Sequence, residues 1–244
     1  MCSSDLVAAR GGSALAWLVV AACLSACTTA TTPNPRGALL PRTLALVCLI
    51  DGKATPLEQA ACTDAQVRVV VAGGNRGTLS VAVPSAHAWL DFDKSVPGFT
   101  GLRVPGLPTA ATVDAARDDL WLVLDAPAAL ARLSATQVAA GSKQPAAGRV
   151  AVASAALDFV ATDAQMLFGQ LWLTDPDHGK LWRLDPAQCA PSTALQDCPR
   201  TAVLTGGSPS ALTAAAGKVY VGHANARHLT VLSPQGAVLR EVST

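Results

Sequence analysis

Charge is scarce in this chain. Only 14% of its 244 residues are charged, and 18 basic residues stand against 17 acidic ones for a formal net charge of +1. So even a balance provides no basic footprint for nucleic acid and no general attraction to anionic lipid. Aromatic side chains make up 4%, with a single tyrosine, which argues against a carbohydrate-binding groove. The nucleophile-elbow pattern G-x-S-x-G does not occur, so that hydrolase signature is missing. Gly73-Gly74-Asn75-Arg76-Gly77-Thr78 has glycines but no following Lys-Ser/Thr, so it reads as a hairpin turn rather than a phosphate loop. What is abundant is apolar surface. Half of the residues are hydrophobic, which excludes a disordered chain and leaves material for a sizeable core.

Residues Ser13 to Cys27 form the first organised stretch. About eleven uncharged, mainly apolar residues precede small ones, the length of a signal h-region and too short to span a bilayer stably. The last four, Leu24-Ser25-Ala26-Cys27, resemble the lipobox of bacterial lipoproteins. That resemblance implies cleavage before Cys27 and acylation of its thiol, with each buried methylene contributing about 0.8 kcal/mol to anchoring. The alternative is an ordinary secretory signal with an incidental cysteine. The n-region holds only Arg10 and carries Asp5; a start at Val7 leaves a cleaner one. Thr28, rather than Asp, follows the cysteine, which by resemblance to diderm lipoproteins favours the outer membrane. The expected organisation is a signal peptide over 1–27, a Thr/Pro/Gly tether over 28–42, and a repeat domain over 43–244. The expected location is the cell envelope, facing the periplasm or the surface, with the lipid bilayer as a partner through Cys27.

Cys2 and Cys23 would leave with the signal, which leaves Cys48, Cys62, Cys189 and Cys198. An even number in an exported chain reads as disulfides, and the local pairs Cys48–Cys62 and Cys189–Cys198 close at least cost. A metal reading would need C-x-x-C pairs or nearby histidines, and neither pair has them.

Four segments repeat one pattern of a β-rich run, a polar turn and a second β-rich run. They are Val69–Val71 with Leu79–Val83, Leu120–Leu124 with Leu130–Leu133, Leu171–Leu173 with Leu181–Leu184, and Val219–Val221 with Leu229–Leu232. Val69, Leu120, Leu171 and Val219 are spaced by 51, 51 and 48 residues. Such a period marks a repeat architecture, and the alternation in Leu79, Val81, Val83 marks half-buried strands. A Pro-led phrase precedes two of the units, Leu107-Pro108-Thr109-Ala110 and Ser208-Pro209-Ser210-Ala211; Ala155–Val160 is the third unit's counterpart. Three or four strands in about fifty residues make a propeller blade. Val219-Tyr220-Val221, Asn225 and Leu229-Thr230-Val231-Leu232 resemble the YVTN-type β-propeller repeats of bacterial surface and periplasmic proteins, and the likeness covers about 65–244. The expected fold is all-β, a β-propeller with about four blades visible, which is an incomplete one if the chain is part of a larger protein; the alternative is a β-sandwich. Thr55-Pro56-Leu57-Glu58 has the capping-box spacing of one short helix.

Asp175-Pro176-Asp177-His178 is the one cluster of metal-ligand types. Asp175, Asp177 and His178 are read first as turn formers, with Pro176 and Gly179 between two strands, so no metal site is expected and the three remain only the candidate ligands. His87, His223 and His228 are scattered and read as loop residues. Trp121, Trp172 and Trp182 read as packing between blades, and Asp91, Asp93 and Lys94 as a solvated rim. These residues point to a non-enzymatic binding or scaffold module without a cofactor, with envelope proteins as partners and no nucleic acid. The alternatives, implied by the propeller resemblance, are a lactonase-like or quinone-dependent dehydrogenase-like enzyme, whose polar residues converge from several blades, and a subunit of an envelope assembly complex.

Overall fold

Every repeated run singled out in the sequence forms a strand, and each strand pairs with its neighbour in the chain. The computed structural model describes residues 41–55, 62–73, 77–95, 100–141, 153–189 and 198–243. Among these, four antiparallel sheets follow one another in chain order. The first comprises β1 (Pro41–Ile50), β2 (Lys53–Thr55), β3 (Val67–Gly73), β4 (Thr78–Val83), β5 (Ala88–Leu90) and β6 (Leu102–Arg103). The second comprises β7 (Leu107–Asp114), β8 (Asp119–Asp125), β9 (Ala129–Ser134) and β10 (Ala153–Ala156). The third comprises β11 (Ala164–Leu167), β12 (Gln170–Asp175), β13 (Lys180–Leu184) and β14 (Arg200–Leu204). The fourth comprises β15 (Pro209–Ala215), β16 (Lys218–His223), β17 (His228–Leu232) and β18 (Val238–Ser243). Among the described residues, each sheet is built from strands that are consecutive in the chain. That separates the molecule from the β-sandwich alternative, in which strands alternate between two layers.

The register repeats with the sequence. Val69 pairs with Ala82, Leu120 with Leu133, Leu171 with Leu184 and Val219 with Leu232, a separation of 13 residues in all four sheets. Burial explains why the runs differ in polarity. In β8, Leu120, Leu122 and Leu124 pack on the first sheet, while Trp121 and Val123 pack on the third. A sheet buried on both faces requires a continuous apolar run, and each fully buried leucine contributes about 1.5–3 kcal/mol. In β16, Val219, Val221 and His223 are buried and alternate with more exposed residues, so one face is packed.

Two contacts recur where one sheet leads into the next. The residue just before β4, β9 and β13 offers its carbonyl to the start of the segment that crosses onward, extending the pairing with the outer strand by one rung. Val104 N–H donates to Gly77 O at 2.8 Å, Leu157 N–H to Ala128 O at 3.0 Å, and Thr205 N–H to Gly179 O at 3.2 Å. The second contact is a Trp–Arg strut. Arg132 lies over the Trp121 ring at 5.2 Å and donates from Nη1 to Cys189 O in the third sheet's loop at 2.8 Å. One repeat later Arg183 lies over Trp172 at 5.3 Å and donates to Pro234 O in the fourth sheet's loop at 3.2 Å. The Arg132 Nε also donates to Asp119 Oδ1 at 2.7 Å. Burial pushes the Asp119 carboxyl above its usual range, against the opposing pull of Arg132.

Two expectations from the sequence need correction or relocation. Ala155–Val160 does not lead the third unit. Ala153–Ala156 pairs with β9 and completes the second sheet, and Ala164–Leu167 takes the inner position of the third. A short alanine-rich run fits either role, and here it covers the otherwise unpaired edge of β9. Thr55 ends β2 rather than capping a helix, and residues 56–58 of that expected helix lie outside the described residues. A helix does form within the Ala-rich stretch: α1 (Ala135–Ala139), capped by Ser134, whose Oγ accepts from Gln137 N–H. It buries Ala135, Val138 and Ala139 against the first two sheets, and its Thr136 Oγ1 accepts from Ala54 N–H at 2.8 Å.

The joints at Gly77 and Gly179 require glycine twice over. Both have positive φ, +56° and +61°, and a Cβ would meet the carbonyl oxygens of Gly106 and Gly207 at 2.5 and 2.9 Å. Gly169 shares the positive φ, at +74°, but has open space around it. Gly169→Ala is expected to cost about 1 kcal/mol from backbone strain alone. Gly77→Ala and Gly179→Ala should cost about 3 kcal/mol or more, because a backbone oxygen must also move. Urea denaturation of the three variants measures the difference; equal costs would mean that the crossings yield freely.

Candidate functional site

The antiparallel order gives each sheet two distinct ends. One carries the turns between second and third strands, among them 125–128, 176–179 and 224–227, together with the crossings to the next sheet. The opposite end carries α1 and both disulfides. Chemistry-bearing side chains gather at the turn end of the third and fourth sheets.

In the third sheet the gathering point is Asp175, the last residue of β12 and almost wholly buried. Its Oδ1 accepts from His178 N–H at 3.2 Å, and its Oδ2 accepts from Trp182 Nε1–H at 3.0 Å. His178 Nδ1 lies 2.9 and 3.0 Å from the two oxygens. The Trp182 ring is in turn flanked by Phe159 at 6.1 Å, by Arg200 at 4.7 Å and by Lys180 at 5.8 Å. Asp158 lies 3.5 Å from Arg200. The carboxylate therefore orders a turn and orients an indole. Of the three residues with metal-ligand types, the structure brings Asp175 and His178 together and leaves Asp177 exposed in the turn. Among the described residues no group of three or more His, Cys, Asp or Glu side chains could hold a metal ion.

The fourth sheet places a histidine where the third has Asp175. His223 ends β16, and its Nε2 lies 2.8 Å from Thr230 Oγ1, seven residues on as Trp182 is from Asp175. His228, across the turn, faces it with ring centroids 4.6 Å apart. Burial lowers the His223 pKa, the neighbouring His228 lowers it further, and Glu241 pulls the other way. The two histidines are thus partners rather than scattered loop residues. The signal was present in the sequence: they bracket a four-residue turn in the repeat positions of Asp175 and Lys180.

The remaining expected residues fall as follows. Cys48–Cys62 and Cys189–Cys198 are bonded, with Cα–Cα distances of 6.0 and 5.2 Å. Cys27 lies outside the described residues. His87 ends a 3-10 turn at Pro84–Ala86 with φ of 48°. Asp91 Oδ1 accepts from Asp93 N–H and Thr100 N–H, both at 3.1 Å, so its carboxylate is bonded to backbone. Trp121 and Trp172 are buried between sheets. The Asp/Gln-x-Trp…Arg pattern that unites them with Asp119, Gln170, Arg132 and Arg183 had escaped sequence reasoning, because its members lie on different strands.

No protein-family model matches the chain, and no curated protein matches it in sequence. Solved structures do match in fold. A hydrazine synthase of Kuenenia stuttgartiensis superposes with a TM-score of 0.54 at 6% identity over 89% of this chain and 52% of its own. The chain thus spans about half the length of that protein. A streptogramin B lyase gives 0.51 at 10% identity, covering 86% of this chain and 70% of its own. A chain of a nidogen/laminin complex gives 0.52 at 12%, covering 85% and 81%. At such identities the likeness shows fold alone, and together with the four successive antiparallel sheets it makes this chain a β-propeller protein.

The Asp175 turn yields a stability prediction. Asp175→Ala strands the half-buried Trp182 Nε1–H and the turn amide, and is expected to cost about 1–3 kcal/mol. His178→Ala should cost less than about 1 kcal/mol, since its ring is half exposed. Urea denaturation followed by tryptophan fluorescence distinguishes the two; equal effects would make the Asp175–His178 contact, rather than the indole bond, the important one.

Proposed function

We propose that the protein is a bacterial envelope lipoprotein with YVTN-type repeats. Acylated Cys27 would tether the β-propeller to the outer membrane, where the propeller would serve as a binding or scaffold module. The observation that carries this reading is the sequence Leu24-Ser25-Ala26-Cys27 at the end of an apolar stretch. Two closed disulfides support it, because such bonds persist in oxidising compartments. The Thr/Pro-rich 28–42 stretch would give the propeller reach from the bilayer.

Within the module the turn end is the face we assign to a partner. There Asp177, His178, Asn225 and Arg227 are exposed on adjacent sheets. At the opposite end lie α1 and both disulfides. Loops raised on a rigid β scaffold are a usual place for recognition.

Expression of the full chain in a diderm bacterium with labelled fatty acid tests the anchor. The expected result is label on the wild type, recovery in the membrane fraction, and loss of both in Cys27→Ala. An unlabelled wild type released into the periplasm would reduce the reading to an ordinary secreted propeller. Photo-crosslinking residues at 177 and 227 are expected to capture a common envelope protein, whereas the same residue at 117 or 216 should not. Equal capture from both ends would remove the turn end as the binding face.

A further inference from the structure

Four features of the fourth sheet converge on one imidazole. His223 is nine-tenths buried, bonded through Nε2 to Thr230 Oγ1, and stacked at a tilt against His228. Its remaining nitrogen, Nδ1, is buried without a hydrogen-bond partner, and so is His228 Nε2. Nδ1 is directed at Gly207, where a Cβ would come within 3.0 Å of it. Gly207 lies in the segment 205–208, the strap between the third and fourth sheets.

That strap is held from both sides by short bonds. From the third sheet, Gly179 O accepts Thr205 N–H and Pro176 O accepts Ser208 Oγ–H at 3.1 Å. From the fourth, Ala224 N–H, next to His223, donates to Ser208 O at 2.9 Å. Neutral His223 closes the underside of the strap. In the tautomer whose Nε2–H donates to Thr230 Oγ1, a second proton places an N–H against Gly207 with no acceptor, and in either tautomer it places a positive charge beside a second imidazole.

The charged groups around it are few. On β17, His228 opposes the cation, and on β18 Glu241 favours it. The strap residues Thr205, Gly206, Gly207 and Ser208 contribute no charge, and Arg227 on the same turn is exposed. Burial and His228 outweigh Glu241.

We propose that His223 and His228 form an acid-operated latch, in which proton uptake by His223 releases the 205–208 strap and loosens the fourth sheet from the third. The folded latch binds its proton less readily than the released one. Its stability is therefore fully present above the ordinary histidine value of 6.5 and is lost as the pH falls below it. The ladder of β16 and β17 does not depend on this proton and should remain intact.

Amide hydrogen exchange on the full chain tests this. After correction for intrinsic rates, protection at Thr205 and Ala224 is expected to fall on the order of tenfold between about pH 7.5 and pH 5. Val219 and Val221 should hold. In His223→Gln, which retains a group able to bond Thr230 but does not titrate, the pH dependence at the strap should vanish. His228→Gln removes the facing imidazole and should shrink the loss. Unchanged protection in the wild type, or the same loss in His223→Gln, would overturn the latch. Should His223→Gln fail to fold, a wild-type His223 ring signal titrating at or above 6.5 would overturn it equally.

Discussion

Three of the four sheets hand the chain onward through the same backbone hydrogen bond, which fixes where each crossing begins. A sheet of four short strands cannot bury its faces alone, so each must hold the next at a fixed distance and angle. The carbonyls of Gly77, Ala128 and Gly179 accept the first amide of the crossing that leads onward, one rung beyond Thr78–Arg103, Ala129–Ala156 and Lys180–Leu204, and so fix where the chain leaves each sheet. These residues sit immediately before β4, β9 and β13. The turn that closes one hairpin therefore also docks the chain entering the next sheet. A crossing that left these polar groups unpaired would be a weak point in every joint.

Side chains then distinguish the joints. Between the first and second sheets the contact is aliphatic, with Val70, Ala72, Leu79 and Val81 meeting Leu120, Leu122 and Leu124, and α1 packed beside them. The second and third sheets each carry a tryptophan on one strand and an arginine on the next, and the guanidinium reaches a loop carbonyl of the sheet beyond. An arginine flat on an indole keeps its donors aimed outward, and so adds direction to a contact that apolar packing leaves unspecific. The inner strands are joined by side chains that satisfy their edges. Thr112 Oγ1 accepts from Met166 N–H at 3.0 Å, and Asp163 Oδ2 accepts from Leu212 N–H at 2.7 Å.

Much of this architecture was legible from residue spacing. The repeat at Val69, Leu120, Leu171 and Val219 announced the four sheets, because identical hairpins need identical apolar positions. The cysteine pairs were legible from proximity along the chain. Ala153–Ala156 was not, since alanine suits an outer strand of one sheet as well as an inner strand of the next, and only the pairing with β9 decides. The site was harder. Asp175, Asp177 and His178 stood out as ligand types, yet the partner that defines Asp175 is an indole on the following strand. His223 and His228 looked unrelated until the register set them across one turn. Chemistry that arises from cross-strand pairing becomes visible only once the register is known.

The account stands or falls on the repeated joint. The amides of Val104, Leu157 and Thr205 lie one rung beyond the strand ladders, where the carbonyls of Gly77, Ala128 and Gly179 accept them. Native-state hydrogen exchange at neutral pH measures them directly. All three are expected to open with free energies close to those of the ladder amides at Val123 and Leu173, because breaking a joint exposes a sheet face. Exchange at the rate of free loop amides would contradict the account and leave the crossings unanchored, with the sheets held by side-chain contacts alone.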